Sequence, residues 1–177
     1  MLDLKLSILE EYAPFFVSGT LLTIKLSVVA IVAGFFLGLF LALARISSKK
    51  WLSIPAACFI ESIRGTPLLL QILITYFGVV PLIMKKPDGV LAAVLALSIN
   101  AGAYIAETIR GGILATDPGQ MEAANALGLT RWQSMRYVIL PQAIRSVIPA
   151  LGNSFVSLIK DSSLASVIAT PELMYWA

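Results

Sequence analysis

Three stretches of this chain run without a charged side chain for the length of a bilayer crossing. Residues 26–44 form a charge-free run of 19, residues 65–84 one of 20, and residues 89–106 one of 18. A hydrocarbon core about 30 Å thick is crossed by about 20 apolar residues of α-helix. Inside it the backbone N–H and C=O groups must pair within their own segment, so such runs fold as helices. With 58% apolar residues and 13% charged, against about a quarter charged in a soluble domain, the chain reads as an all-α, polytopic membrane protein. Its 177 residues leave room for about four or five crossings.

The runs differ in quality. Residues 15–23 extend the first one across Lys25, whereas Pro67 and Pro81 interrupt the second. Past Tyr137 the pattern breaks: residues 146–159 are charge-free, Lys160-Asp161 follows, and residues 162–171 are charge-free again. Gly152 and Asp161-Ser162-Ser163 point to an unwound place in this fourth region. Residues 1–13 mix apolar and charged side chains and read as a short interfacial segment feeding the first span at Pro14. No positively charged n-region with a cleavage site opens the chain, so no signal peptide is indicated. Near the other end, Thr170-Pro171-Glu172 resembles a new helix start, with Thr as N-cap and Pro at the first helical position. A final span, truncated here, is the expectation from that pattern.

Composition removes several chemistries. The chain has no histidine, which excludes Ser-His-Asp hydrolysis, histidine metal ligation and histidine proton shuttles. One cysteine, Cys58, forms neither a disulfide framework nor a CxxC site, and its apolar surroundings predict buried packing. No metal site is expected, and a net charge of +3 is too weak to indicate nucleic acid. Sidedness follows from Lys and Arg in the loops. Arg45, Lys49, Lys50, Arg110, Arg131 and Arg136 lie on one side, against Lys5, Lys85 and Lys86 on the other. This count places the N-terminus outside and residues 117–137 in the cytoplasm.

That loop carries its own structure. Asp117-Pro118-Gly119-Gln120 is a helix start, with Asp at N-cap, Pro at N1 and Gln120 as capping-box partner. Helix formers follow until Gly128, a natural C′ residue. Thr130-Arg131-Trp132-Gln133 opens a second helix by the same logic, predicted to end at Pro141. On physical grounds alone, an amphipathic hairpin on the lipid surface and a protein-docking element are equally compatible with this loop.

Glu122-Ala123-Ala124, then Gly128, then Val138, Leu140 and Pro141 resemble the E-A-A-x3-G-x9-I-x-L-P motif of ATP-binding cassette importer permeases, with Val138 in place of Ile. Three more segments resemble the polar amino acid branch, the histidine, glutamine and arginine permeases among them. These are residues 61–71 (Glu61-Ser62-Ile63-Arg64-Gly65-Thr66-Pro67 onward), residues 103–112, and residues 160–166. The likeness runs from about residue 19 to residue 172. It implies a single transmembrane permease domain over 1–177, of about five spans when complete, multi-pass in a bacterial plasma (inner) membrane. It also implies cytoplasmic coupling helices within 117–137 that dock an ATPase, with Glu122, Ala123, Ala124, Gly128 and Arg131 as the coupling residues. The implied partners are an ATPase pair, a second permease subunit in a homo- or heterodimer, and an extracytoplasmic amino-acid-binding protein. ATP and Mg would sit on the ATPase. No P-loop occurs in this chain, which is therefore expected to bind no cofactor and to be no enzyme itself.

Ionisable groups within a span cost about 2.5–3.5 kcal/mol each on insertion scales, so each needs a reason. Glu61 with Arg64 and Glu107 with Arg110 are i,i+3 pairs able to neutralise one another. Glu61, Arg64 and Arg110 read as structural; Glu107 lies deeper and reads equally as a substrate residue. Gly65-Thr66-Pro67 looks like a break and restart, with Thr66 as N-cap, Pro67 at N1 and Gln71 one turn on. Such half-helix starts hold substrate carboxylates in transporters, though a plain proline kink explains the pattern equally well. Asn100, Tyr104 and Glu107 share one helical face, and Ser157 leads along the fourth region to Asp161. Asp161 is the candidate for a substrate ammonium; pairing with Lys160 or capping of the following helix are its structural alternatives. The substrate class is a polar or charged L-amino acid. A stand-alone ion-coupled carrier using Glu107 and Asp161 is the alternative function.

Overall fold

The structure, a computed structural model, describes residues 6–177, with side chains from Tyr12 onward. Among the described residues there are helices, turns and no strand. The helices are α1 (Leu6–Ile46), α2 (Lys50–Arg64), α3 (Leu68–Ile74), α4 (Val80–Met84), α5 (Gly89–Leu114), α6 (Pro118–Ala126), α7 (Arg131–Ser134), α8 (Leu140–Asp161) and α9 (Leu173–Trp176). Two π-helical segments, Thr75–Val79 and Met135–Ile139, join α3 to α4 and α7 to α8, and a 3-10 segment, Ser162–Ile168, follows α8.

Two stretches meet the length and composition needed to cross a bilayer: Tyr12–Ile46, within α1, and Gly89–Leu114. They hold the first and third charge-free runs. The second run is not one helix. A break at Gly65–Pro67 separates Lys50–Arg64 from Leu68–Met84, a pair with the length and composition of a broken span or a re-entrant loop. No charge-free run marks α2 in the sequence, because Lys50, Glu61 and Arg64 frame its apolar stretch. The start of α1 differs as well. Residues 1–5 lie outside the described residues, but from Leu6 the backbone is already helical and passes through Pro14 into the span. Cys58, expected to be buried, is exposed on α2, since apolar surface that faces lipid gains nothing from facing inward.

Both π-helical segments stand in the same relation to a proline. Pro81 lies two residues beyond Val79, and Pro141 two residues beyond Ile139. A helical proline offers no N–H and presses its ring on the carbonyl four residues back. A π-turn adds one residue to that turn and displaces the carbonyl. Pro141 therefore does not end the second loop helix as expected, and the helix continues to Asp161. Gly152 likewise stays helical, and the change of winding falls at Asp161–Ser162.

The chain divides into two compact units. One holds Met1–Val32, Pro67–Ser98 and Ser157–Ala177. Its core gathers Ile72, Val80, Ala92, Ala96 and Ile168, flanked by Leu68, Tyr76, Leu95 and Leu164. The C-terminal corner packs on α1: the Phe15 and Trp176 rings lie 4.7 Å apart, and the Thr23 hydroxyl donates to Glu172 at 3.4 Å. Glu172, not Thr170, is the N-cap of α9. Its carboxylate accepts the N–H groups of Met174 and Tyr175 at 2.9 Å each, two backbone donors that a threonine hydroxyl would not satisfy together.

The other unit holds Ala33–Thr66 and Ile99–Val156. Leu41 and Ala42 of α1, Ala56 and Ile60 of α2, and Ala106 of α5 form its core. Here α1 and α5 touch backbone to backbone. A Cβ at Gly38 would stand 2.8 Å from the Gly102 carbonyl oxygen and from Ile105. Small residues allow that approach, and packing of this kind is what drives helix association in lipid. Gly38 thus serves packing within the chain.

Candidate functional site

Within the second unit, α1, α2 and α5 bring five charged residues together. Glu107 projects from α5 with its side chain 19% exposed. One turn on, Arg110 grips both carboxylate oxygens, through Nε at 3.0 Å and Nη2 at 2.8 Å. This is the expected i,i+3 pair, made bidentate by the planar guanidinium. The matching pair on α2 does not form. Arg64 instead leaves its helix to lie over the Tyr104 ring, 5.2 Å from the centroid, with Nη1 4.0 Å from Glu107 Oε2. Glu61 turns to Arg45 of α1 at 3.6 Å. In the sequence Arg45 counts toward sidedness, and no local spacing reveals this cross-helix partner. The reason for the exchange is burial: the aromatic face and the half-buried carboxylate on α5 offer Arg64 more than the mostly exposed Glu61 beside it.

The cluster thus sets three guanidiniums against two carboxylates. Arg110 occupies both oxygens of Glu107, so Arg64 is the looser cation, stacked on an aromatic ring and 41% exposed. Such a group can receive a carboxylate; Glu107, already held by Arg110, is a poorer acceptor for a new ammonium.

Other residues singled out from the sequence are placed as follows. The break at Gly65–Pro67 is real, but Pro67 takes the N-cap position of α3. Thr66 turns its hydroxyl back to the Ser62 carbonyl at 2.8 Å, as threonines near a helix end often do. Gln71 and Asn100 are buried and Tyr104 is half-exposed. Ser157 is exposed on α8, and Asp161 is part-buried at its end. Asp161 makes no capping hydrogen bond to the 3-10 segment, and among the described residues no ion pair joins it to Lys160. Gln71, Ser157 and Asp161 belong to the first unit; Thr66, Asn100, Tyr104 and Glu107 belong to the second.

The loop hairpin is built as its sequence chemistry directs. Asp117 accepts the Gly119 N–H at 2.7 Å; Gln120 closes no capping box and receives Gln142 Nε2 at 3.2 Å instead. Gly128, at φ +82°, ends α6 in a Schellman motif. Its N–H donates to the Asn125 carbonyl at 2.9 Å, and that of Leu129 to the Ala124 carbonyl at 3.1 Å. Thr130 and Gln133 complete a reciprocal capping box on α7. Ser134, fully buried, ties the two helices through Asn125 Oδ1 at 3.2 Å. Ala124 faces inward, while Glu122, Ala123 and Arg131 are exposed. Leu127 and Trp132 leave 83% and 68% of their surfaces uncovered, large apolar groups for a polar loop.

Residues 34–176 match the family described as binding-protein-dependent transport system inner membrane component. A probable amino-acid ABC transporter permease, YckA of Bacillus subtilis (strain 168), is 44% identical over 94% of this chain and 74% of its own length. A putative glutamine transport system permease, GlnP of Rickettsia bellii (strain RML369-C), is 42% identical over 90% of this chain and 73% of its own. Among solved structures, an amino acid ABC transporter crystallised with histidines superposes with a TM-score of 0.92 at 47% identity, covering 99% of this chain and 81% of that one. The importer reading thereby stands over the stand-alone carrier. This chain belongs to the binding-protein-dependent transport system inner membrane components, the multi-pass permeases that its loop motif resembles.

Proposed function

We propose that this chain is the transmembrane subunit of an ATP-driven importer of a polar or charged L-amino acid, working with a second permease subunit. The hairpin of α6 and α7 would dock an ATPase through Glu122, Ala123, Ala124, Gly128 and Arg131. ATP and Mg would be held by that ATPase, and substrate would be delivered by an extracytoplasmic binding protein. Docking requires the hairpin to be cytoplasmic and hence the N-terminus outside. The observation that carries this reading is the hairpin itself: capped at both helix starts, closed by a left-handed glycine, and showing Leu127 and Trp132 outward. Closure of an ATPase pair on ATP would move the docked hairpins as rigid bodies and tilt the spans between two states. Relatives named as amino-acid and glutamine permeases support the substrate class.

For the substrate, we assign the carboxylate to the N–H groups at the start of α3, beside Thr66 and Gln71. Asp161, which makes no ion pair among the described residues, takes the ammonium, with Ser157 on the same helix. Asn100, Tyr104 and Glu107 are assigned to the translocation route, and Glu61, Arg64 and Arg110 to its structural ion pairs. Reconstituted with its ATPase, the permease should lose uptake when ATP is depleted while ion gradients are kept; surviving uptake would overturn the importer mechanism. Glu122→Lys or Gly128→Asp should abolish uptake without changing membrane insertion. Normal transport in both would remove the docking assignment.

A further inference from the structure

Where α1 runs out and α2 begins, the chain encloses an apolar groove of about 240 Å³. Phe40, Leu41 and Ala44 form one wall, and Trp51, Pro55 and Phe59 the other. Phe40 and Trp51 are 67% and 69% exposed, so the groove lies open along its length. No polar side chain lines it. Lys49 and Lys50, both exposed, directly precede the lining residue Trp51 in the chain, and the first turn of α2 carries no acidic residue to neutralise them. The last turn of α1 holds Arg45, whose charge is engaged by Glu61. Among the described residues no ion pair engages the two lysines, so they present positive charge next to Trp51 in the chain. Trp next to Lys at the end of a span is the arrangement found at the boundary between headgroups and acyl chains.

We propose that this groove is a binding site for an anionic phospholipid. One acyl chain lies along Phe40, Ala44 and Phe59 and across the Trp51 indole, while the headgroup phosphate and its net negative charge are held by Lys49 and Lys50. A zwitterionic lipid offers the same chain but no net charge, and each lysine near the membrane surface favours the anionic lipid by about fivefold. Complementarity of charge at one end and of surface at the other selects an anionic lipid over a second copy of this chain, whose matching groove would bring like charges together.

Trp51 makes the site readable. In the full chain carrying Trp132→Phe and Trp176→Phe, reconstituted in nanodiscs, phosphatidylglycerol brominated on its acyl chains should quench Trp51 more than phosphatidylcholine brominated at the same positions. Lys49→Gln with Lys50→Gln should remove the difference and leave the phosphatidylcholine quenching unchanged. Native mass spectrometry of the chain with its tryptophans intact supplies a second reading. Phosphatidylglycerol adducts should persist through delipidation and drop at least fivefold in the double lysine variant. Equal quenching by the two brominated lipids, with adducts indifferent to the lysines, would overturn the proposal in favour of an ordinary lipid-facing surface. Absence of quenching by either lipid would overturn it in favour of a groove covered by another protein chain.

Discussion

Gly128 offers a clean test of the hairpin, because its constraint is purely one of backbone. Its φ of +82° lies in the left-handed region, yet a Cβ built there meets nothing within 4 Å. Substitution therefore introduces no clash, only the conformational cost of holding an L-residue in that region, about 1–2 kcal/mol. Asparagine visits this region more readily than other side-chain-bearing residues, and β-branched residues resist it most. The cost falls on the two Schellman hydrogen bonds, from Gly128 to Asn125 and from Leu129 to Ala124, which close a nine-residue helix too short to be stable alone. A change of 1–2 kcal/mol multiplies the open population of the hairpin by about 5–30. Hydrogen exchange followed by mass spectrometry on the full chain should show this acceleration over residues 121–129 for Gly128→Ala. Gly128→Asn should exchange more slowly than Gly128→Ala, and Gly128→Val faster, with α5 unchanged in all three. Refutation would be an Ala variant that exchanges like wild type, a Val variant no worse than Asn, or acceleration spread equally through α5.

Glu107→Gln should destabilise the chain by about 1.5–3 kcal/mol, since it replaces one of the two oxygens that Arg110 grips by an NH2 donor and leaves Arg64 and Arg110 without a shared counter-charge; a lowered thermal midpoint in detergent checks this. Thr130→Ala should cost about 0.5–2 kcal/mol locally by opening the capping box, visible as faster exchange over residues 130–134 and rescued by Thr130→Ser. Gly38→Leu should cost more than about 1–3 kcal/mol, because its side chain would enter the Gly102 carbonyl and Ile105; wild-type thermal stability in that variant would show that α1 and α5 do not touch there.

Local chemistry was legible in the sequence wherever its cause was local. Charge-free runs located the helices of α1 and α5, Thr130 with Gln133 gave a capping box, and Gly128 marked its own turn. Local reasoning failed where one group had two possible partners. Glu172 displaced Thr170 as N-cap because its carboxylate takes two N–H groups. Gln120 went to Gln142 rather than to its own helix start. Pro141 would have ended an ordinary α-helix, but a π-turn ahead of it let the helix pass.

By itself, then, the sequence determined that this chain is built of membrane-spanning helices, where the chain breaks at Gly65–Pro67, and which loop carries a capped hairpin. Hydropathy, proline and glycine act on the backbone within a few residues, so their consequences can be read along the chain. Only the tertiary structure decided that Lys50–Arg64 is a helix of its own, packed through Ala56 and Ile60 against Leu41, Ala42 and Ala106. It alone decided that Arg64 leaves Glu61 for Tyr104 and Glu107, and that Arg45 takes its place. Those choices rest on electrostatic and packing energies between side chains far apart in sequence, which no spacing rule records.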